Sequence, residues 1–204
     1  MPLLSRHTVS LVEFLFAALP LCPIILPIIL TRKVKNQDLN RLTVEKYRKV
    51  SKTPIIVVLD NIRSIHNVGA IFRTSDAFRV AKIILCGITA TPPHRDIRKT
   101  ALGAEESVDW EYSETTLEAI KNLKECHICA LEQVVDSVPL REVDLPQDKT
   151  IVLIVGNEVD GVDEKLLDFC SQVIEIPQFG TKHSFNVSVS TGITLWEMYN
   201  KINA

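Results

Sequence analysis

From Pro54 onward, apolar positions come in short runs that alternate with amphipathic stretches. IIVVLD (residues 55–60) is a continuous, mostly β-branched run of the kind buried on both faces of a parallel sheet. Residues 68–78 carry helical spacing, 81–87 predict the next strand, and 115–123 predict another helix. Strands follow over 127–132 and 150–156, a short helix over 163–169, a last strand over 172–177 and a closing helix over 187–202. Strands that alternate with helices make βαβ units, so the fold class is α/β with a mainly parallel sheet and helices on both faces.

The first thirty residues break this pattern. Residues 8–30 are nearly all apolar, interrupted by Glu13, Pro20, Pro23 and Pro27. Their length suits a transmembrane helix, with Arg6 before them and Arg32, Lys33 and Lys35 after. Three closely spaced prolines disfavour a regular helix, although membrane helices tolerate proline better than soluble ones. A secretory signal fits less well, because no small-x-small cleavage site precedes the basic run. An upstream start codon is the third explanation. We expect residues 1–30 to be an apolar extension outside the fold, with no membrane association and a cytoplasmic protein. Residues 31–53 form a basic lead-in, helix-prone, with Leu39, Leu42 and Tyr47 as a modest apolar stripe. Residues 54–204 form the main domain.

Composition adds little until it is divided. A chain with 46% hydrophobic and 24% charged residues can bury a core. Its net charge of −2 looks unsuited to a nucleic-acid partner. Residues 1–100, however, carry 16 Lys and Arg against 6 Asp and Glu, whereas residues 101–204 carry 7 against 19. A basic half suggests a polyanion partner; the blander reading is one surface with two ends. Five scattered cysteines exclude a disulfide framework. The C-x-x-C of CHIC (126–129) lacks a second ligand pair and falls inside a strand, so no metal is expected.

Open α/β sheets bind ligands at the carboxyl ends of their strands. Three strand–helix junctions are rich in small polar residues. In DNIRSIHNVGAIFRTSDAF (60–78), Asn67 is placed to cap a helix starting at Val68. Gly69 in the first turn hints at close backbone approach, and a salt bridge is the ordinary explanation for Arg73. In IVGNEVDGV (154–162), Gly156 admits a ligand to the backbone or makes a tight turn with Gly161, and Glu158 is otherwise a solvated acid. Neither a phosphate loop nor a dinucleotide fingerprint is present. In residues 174–193, small polar residues crowd the opening turns of a helix at a cost in propensity, more than a cap by Ser184 or Asn186 explains.

Taken in order, Asn67-x-Gly69-x-x-x-Arg73, GNEVDGV (156–162) and IPQFGTKHSFNVSV (176–189) resemble the three motifs of the SPOUT-class RNA 2′-O-ribose methyltransferases. Within that class the chain is similar to the group that contains the tRNA D-loop guanosine and bacterial 23S rRNA guanosine enzymes. The resemblance covers residues 54–202; Phe185 stands where the family usually has leucine. It implies a deep trefoil knot at the C-terminal end of the sheet, which general folding rules would not predict. It implies S-adenosylmethionine as cofactor, met by Gly156 and Asn157 and by Ile176, Pro177, Gly180 and Phe185. It implies methyl transfer to a ribose 2′-hydroxyl of structured RNA, tRNA or rRNA, by a homodimer. Arg73 matches the arginine proposed to activate that hydroxyl, and we expect it to orient the ribose–phosphate and stabilise developing alkoxide charge. Asn67, Glu158, Ser184 and Asn186 match the remaining polar positions of the catalytic set. The alternative is an RNA-binding protein of this fold that has lost methyl transfer.

Overall fold

Among the described residues, seven strands make one sheet in the order β3-β2-β1-β6-β4-β7-β5, and each of the six pairings is parallel. The strands are β1 (Thr53–Asp60), β2 (Val80–Cys86), β3 (Trp110–Ser113), β4 (Cys126–Leu131), β5 (Val138–Pro139), β6 (Thr150–Val155) and β7 (Gln172–Glu175). The helices are α1 (Val44–Lys49), α2 (Ile65–Ala77), α3 (Arg95–Ala101), α4 (Ala104–Ser107), α5 (Thr116–Lys121), α6 (Glu164–Leu167) and α7 (Val187–Ile202). This computed structural model describes residues 33–204. The expectations for residues 1–30 and for Arg32 lie outside the described residues. Among the described residues, no helix is long and apolar enough to cross a membrane.

The sheet is buried on both faces, as its uninterrupted apolar strands require. Ile55, Val57 and Leu59 of β1 point into one core with Val68, Ile71 and Phe72 of α2 and Leu195 and Met198 of α7. Val58 points the other way, with Ile120 of α5 and Leu166 of α6. Helices therefore cover both faces. Cys129 joins the first core and Cys126 the edge of the second, the opposite orientations their spacing dictates. Burial pushes the Cys129 thiol up to about 12, so it stays protonated and unreactive at neutral pH.

The basic lead-in differs from its expectation. The chain divides into two units between Asn40 and Arg41. In the first, the only regular element among the described residues is a 3₁₀ turn, Asn36–Leu39, which stops where Asn40 turns left-handed at φ 47°. In the second, Thr43 caps α1 by accepting from the Lys46 N–H at 3.3 Å. No apolar stripe forms: Tyr47 is buried, whereas Leu39 and Leu42 are exposed. The sequence pattern also misses α3, α4, β3 and β5, all short and with little periodicity of their own.

Helix α2 starts at Ile65, three residues earlier than the sequence suggests. Its cap is Ser64, whose Oγ accepts from the Asn67 N–H at 3.4 Å. This placement frees the Asn67 side chain for another task. Gly69 is explained by α3. A Cβ there would sit 2.5 Å from the Ile97 carbonyl oxygen and closer still to Thr100 Oγ1, so glycine lets the two helices touch.

Candidate active site

The three junctions meet through Asn67, which hydrogen-bonds both Glu158 and Asn186. Glu158, in the loop after β6, accepts from the Asn67 Nδ2 at 2.7 Å and from the backbone N–H groups of Arg63 at 3.2 Å and Ser64 at 3.3 Å. Asn67 in turn accepts from the Asn186 Nδ2 at 3.1 Å. Asn186 also caps α7, its Oδ1 accepting from the Ser188 N–H at 3.0 Å. One relay thus ties the loop before α2, the loop after β6 and the start of α7. Partial burial alone would raise the Glu158 pKa. Hydrogen bonds from Asn67, its own backbone, Arg63 and Ser64 outweigh it and hold the carboxyl below its ordinary value. Glu158 therefore stays ionised and fully engaged at neutral pH.

The loop that carries Glu158 is a closed turn. The Asn157 and Gly161 backbones exchange hydrogen bonds at 3.1 Å, and Asn157 Oδ1 accepts from the Val159 and Asp160 N–H groups at 2.9 Å. A Cβ on Gly156 would collide with the Gly161 backbone. Of the two readings of Gly156, the tight turn is the one the geometry explains. Glu132, at the end of β4, closes the turn from outside by accepting from the Val162 N–H at 2.9 Å. Beside it, Gln133 Nε2 donates to the His183 carbonyl at 3.0 Å and so holds the 176–186 loop. Sequence reasoning missed both residues. Two polar side chains at the carboxyl end of a buried strand were the available signal.

Between β4 and that loop lies a cavity of about 80 Å³, lined among others by Leu131, Gln133, Ile176, Ser184 and Phe185. Ile176, Ser184 and Phe185 are thus brought together as the motif suggested. Pro177 and Gly180 lie on the same loop, both exposed, and a Cβ on Gly180 would meet nothing within 4 Å. Among the described residues, no hydrogen bond is donated by a backbone N–H of residues 178–185. The loop therefore offers a row of free donors beside an apolar slot.

Arg73 lies elsewhere. It is four residues beyond Gly69 and shares that residue's face of α2, toward α3 and α4. There it lines a groove of about 820 Å³ with Arg41, Arg79, Tyr47 and Asp76. The salt bridge that would ordinarily explain an arginine is missing, since none of the ion pairs among the described residues involves Arg73. One chain thus gathers Asn67, Glu158 and Asn186 in the relay and Ser184 in the adjoining cavity, and presents Arg73 in a separate arginine-rich groove.

The profile of the SpoU rRNA Methylase family matches residues 54–196. The chain belongs to that family. It is 33% identical over 149 residues to a 23S rRNA (guanosine-2'-O-)-methyltransferase of Neisseria meningitidis serogroup B, a match covering 72% of this chain and 59% of that one. The chain thus spans well under two thirds of that relative's length. Among solved structures of this kind, the Aquifex aeolicus TrmH/SpoU tRNA modifying enzyme superposes with a TM-score of 0.68 at 31% identity, over 78% of this chain and 82% of that one. The AdoMet-bound rRNA methyltransferase from Sinorhizobium meliloti gives a TM-score of 0.68 at 28% identity, over 76% and 59%. The α/β fold of the SpoU family is thereby placed beyond the sequence pattern alone.

Proposed function

We propose that residues 54–204 form a methyltransferase domain that moves a methyl group from S-adenosylmethionine to a ribose 2′-hydroxyl of structured RNA. The observation that carries this reading is the Asn186–Asn67–Glu158 relay, which fixes all three motif regions around the strand ends. The cavity residues fit the cofactor in chemistry. Leu131, Ile176 and Phe185 supply apolar walls for a purine, Glu132 and Glu175 put negative charge near a sulfonium, and the 178–185 backbone supplies donors. The cavity of about 80 Å³ takes only part of such a ligand, and the remainder would lie along the exposed loop. Bound there, S-adenosylmethionine would supply an electrophilic methyl group for a ribose oxygen.

The residues of the chain prepare that attack. Glu158 accepts three hydrogen bonds and is ionised, which makes it a positioning residue for the loops that carry the cofactor. The Arg73 guanidinium holds the ribose–phosphate and favours the developing alkoxide, and the proton leaves to solvent. Because Arg73 lines a groove separate from the cavity of Ile176, Ser184 and Phe185, we assign the working form to a homodimer in which a second copy completes each site. The exposed Val189, Ile193 and Trp196 form a helical stripe on α7 suited to that contact. We also assign a trefoil knot to the C-terminal chain. Two contacts support this assignment: Gln133, in the connection from β4 to β6, holds the segment after β7 at the His183 carbonyl, and α7 packs on α2.

The deciding measurement is transfer of labelled methyl from S-adenosylmethionine to total RNA, followed by mapping of 2′-O-methyl positions. Label on a ribose oxygen is the expected result. RNA binding without any transfer would favour the fold-only alternative.

A further inference from the structure

Across the short helix α4 from the Arg73 groove lies a second groove of about 700 Å³, lined by Pro92, Pro93, Arg95, Lys99, Glu105 and Trp110 among others. Glu106 lines both grooves, so the two are neighbours on the surface. The bed of the second is aromatic. Trp110 opens the edge strand β3 and is only partly buried, one side packed on the core and the rest left to the groove.

Its rim is basic. Helix α3 exposes Arg95, Arg98 and Lys99. Arg98 pairs with Glu106 at 3.3 Å, whereas among the described residues no acid lies within salt-bridge distance of Arg95 or Lys99. Glu105 also lines the groove, and among the described residues its carboxylate makes no ion pair. A carboxylate without a cationic partner is a ready acceptor for a ligand that brings an N–H.

We propose that this groove binds one unpaired nucleotide of the RNA beside the methylated site. The base stacks on Trp110, its phosphate meets Arg95 and Lys99, and its exocyclic amino group donates to Glu105. Adenine, cytosine and guanine carry such a group and uracil does not. Stacking on an aromatic side chain tolerates any base, and a single acceptor at its edge adds the preference. The inference rests on the RNA methyltransferase reading above.

Labelled hexamers of adenylate, cytidylate and uridylate test it by fluorescence anisotropy, with tryptophan emission read in parallel. Adenylate and cytidylate should bind more tightly than uridylate and quench emission. Trp110→Leu, which keeps apolar bulk against the core, should weaken them by about 5- to 100-fold and abolish most of the quenching. Glu105→Gln should narrow the gap to uridylate without unfolding the chain. Equal affinity of wild type and Trp110→Leu, or uridylate binding as well as cytidylate, overturns the proposal. If wild type still transfers methyl groups to total RNA in that case, only the groove assignment falls. If it neither binds nor methylates RNA, the reading beneath it falls as well.

Discussion

Glu158 is where the sequence and the geometry give different accounts of one residue. Read alone it is a solvated acid; in place it receives Asn67, Arg63 and Ser64. No local pattern reveals such bonds, because the partners lie about ninety residues away. Local pattern marks Asn67 and Asn186 as cap residues and the family resemblance marks them as site residues; Asn186 does cap α7, whereas Ser64 takes the cap of α2. Glu158→Gln replaces one acceptor by an amide that faces N–H donors. We expect a folded protein whose methyl transfer falls by about 10- to 100-fold through misplaced loops, with kcat affected more than the KM for RNA. The pH dependence has a definite sign. The folded carboxyl titrates below the 4.5 of an unfolded one, so its stabilisation is complete above that value and fades as pH falls through the lower folded value. The melting temperatures of wild type and Glu158→Gln should converge as the pH drops through that window. For Arg73→Ala we expect about 10²-fold slower single-turnover transfer, the scale of losing one charge-stabilising donor, with S-adenosylmethionine affinity unchanged by calorimetry. Arg73→Lys should recover little, because an ammonium lacks the planar fork.

Elements with strong patterns were visible in the chain, and those that depend on neighbours were not. The runs of β1 and β6 and the closing helix α7 declare themselves by apolar spacing. Helix α3 has seven residues, four of them charged, and is held by its fit against α2 and by its His94 cap. Glycines show the same division. Gly69 and Gly180 look alike in sequence, yet one is wedged against α3 and the other stands in open space. Gly69→Ala should lower stability by about 1–3 kcal/mol in denaturant unfolding, the usual cost of overpacking. Gly180→Ala should leave the unfolding midpoint in place and reduce S-adenosylmethionine affinity, since it alters only the loop assigned to the cofactor.

For the whole molecule, the charge division regains meaning once the grooves are located. Arg41, Arg73 and Arg79 line one groove, and Arg95 and Lys99 the next, all from the basic first half. The net charge of −2 conceals this because the acidic residues lie mainly later in the chain. Reversing Arg41 and Arg79 to Glu should weaken RNA binding. It should also lower the slope of log affinity against log salt by about one for each phosphate that no longer meets an arginine. Cofactor binding, measured without RNA, should not change.

The sheet order also bears on how the chain comes to fold while it is being made. At the centre of the sheet, Ile55 of β1 lies against Ile151 of β6. A nascent chain that has already paired β1 with β2 must therefore wait for most of the remaining sequence to leave the ribosome. During that interval β1 shows a bare, strongly apolar edge, the kind of surface that recruits other chains. Pairings so distant in sequence are slow to close. The yield of native protein should thus depend on synthesis rate and on chaperone supply more than its final stability would suggest.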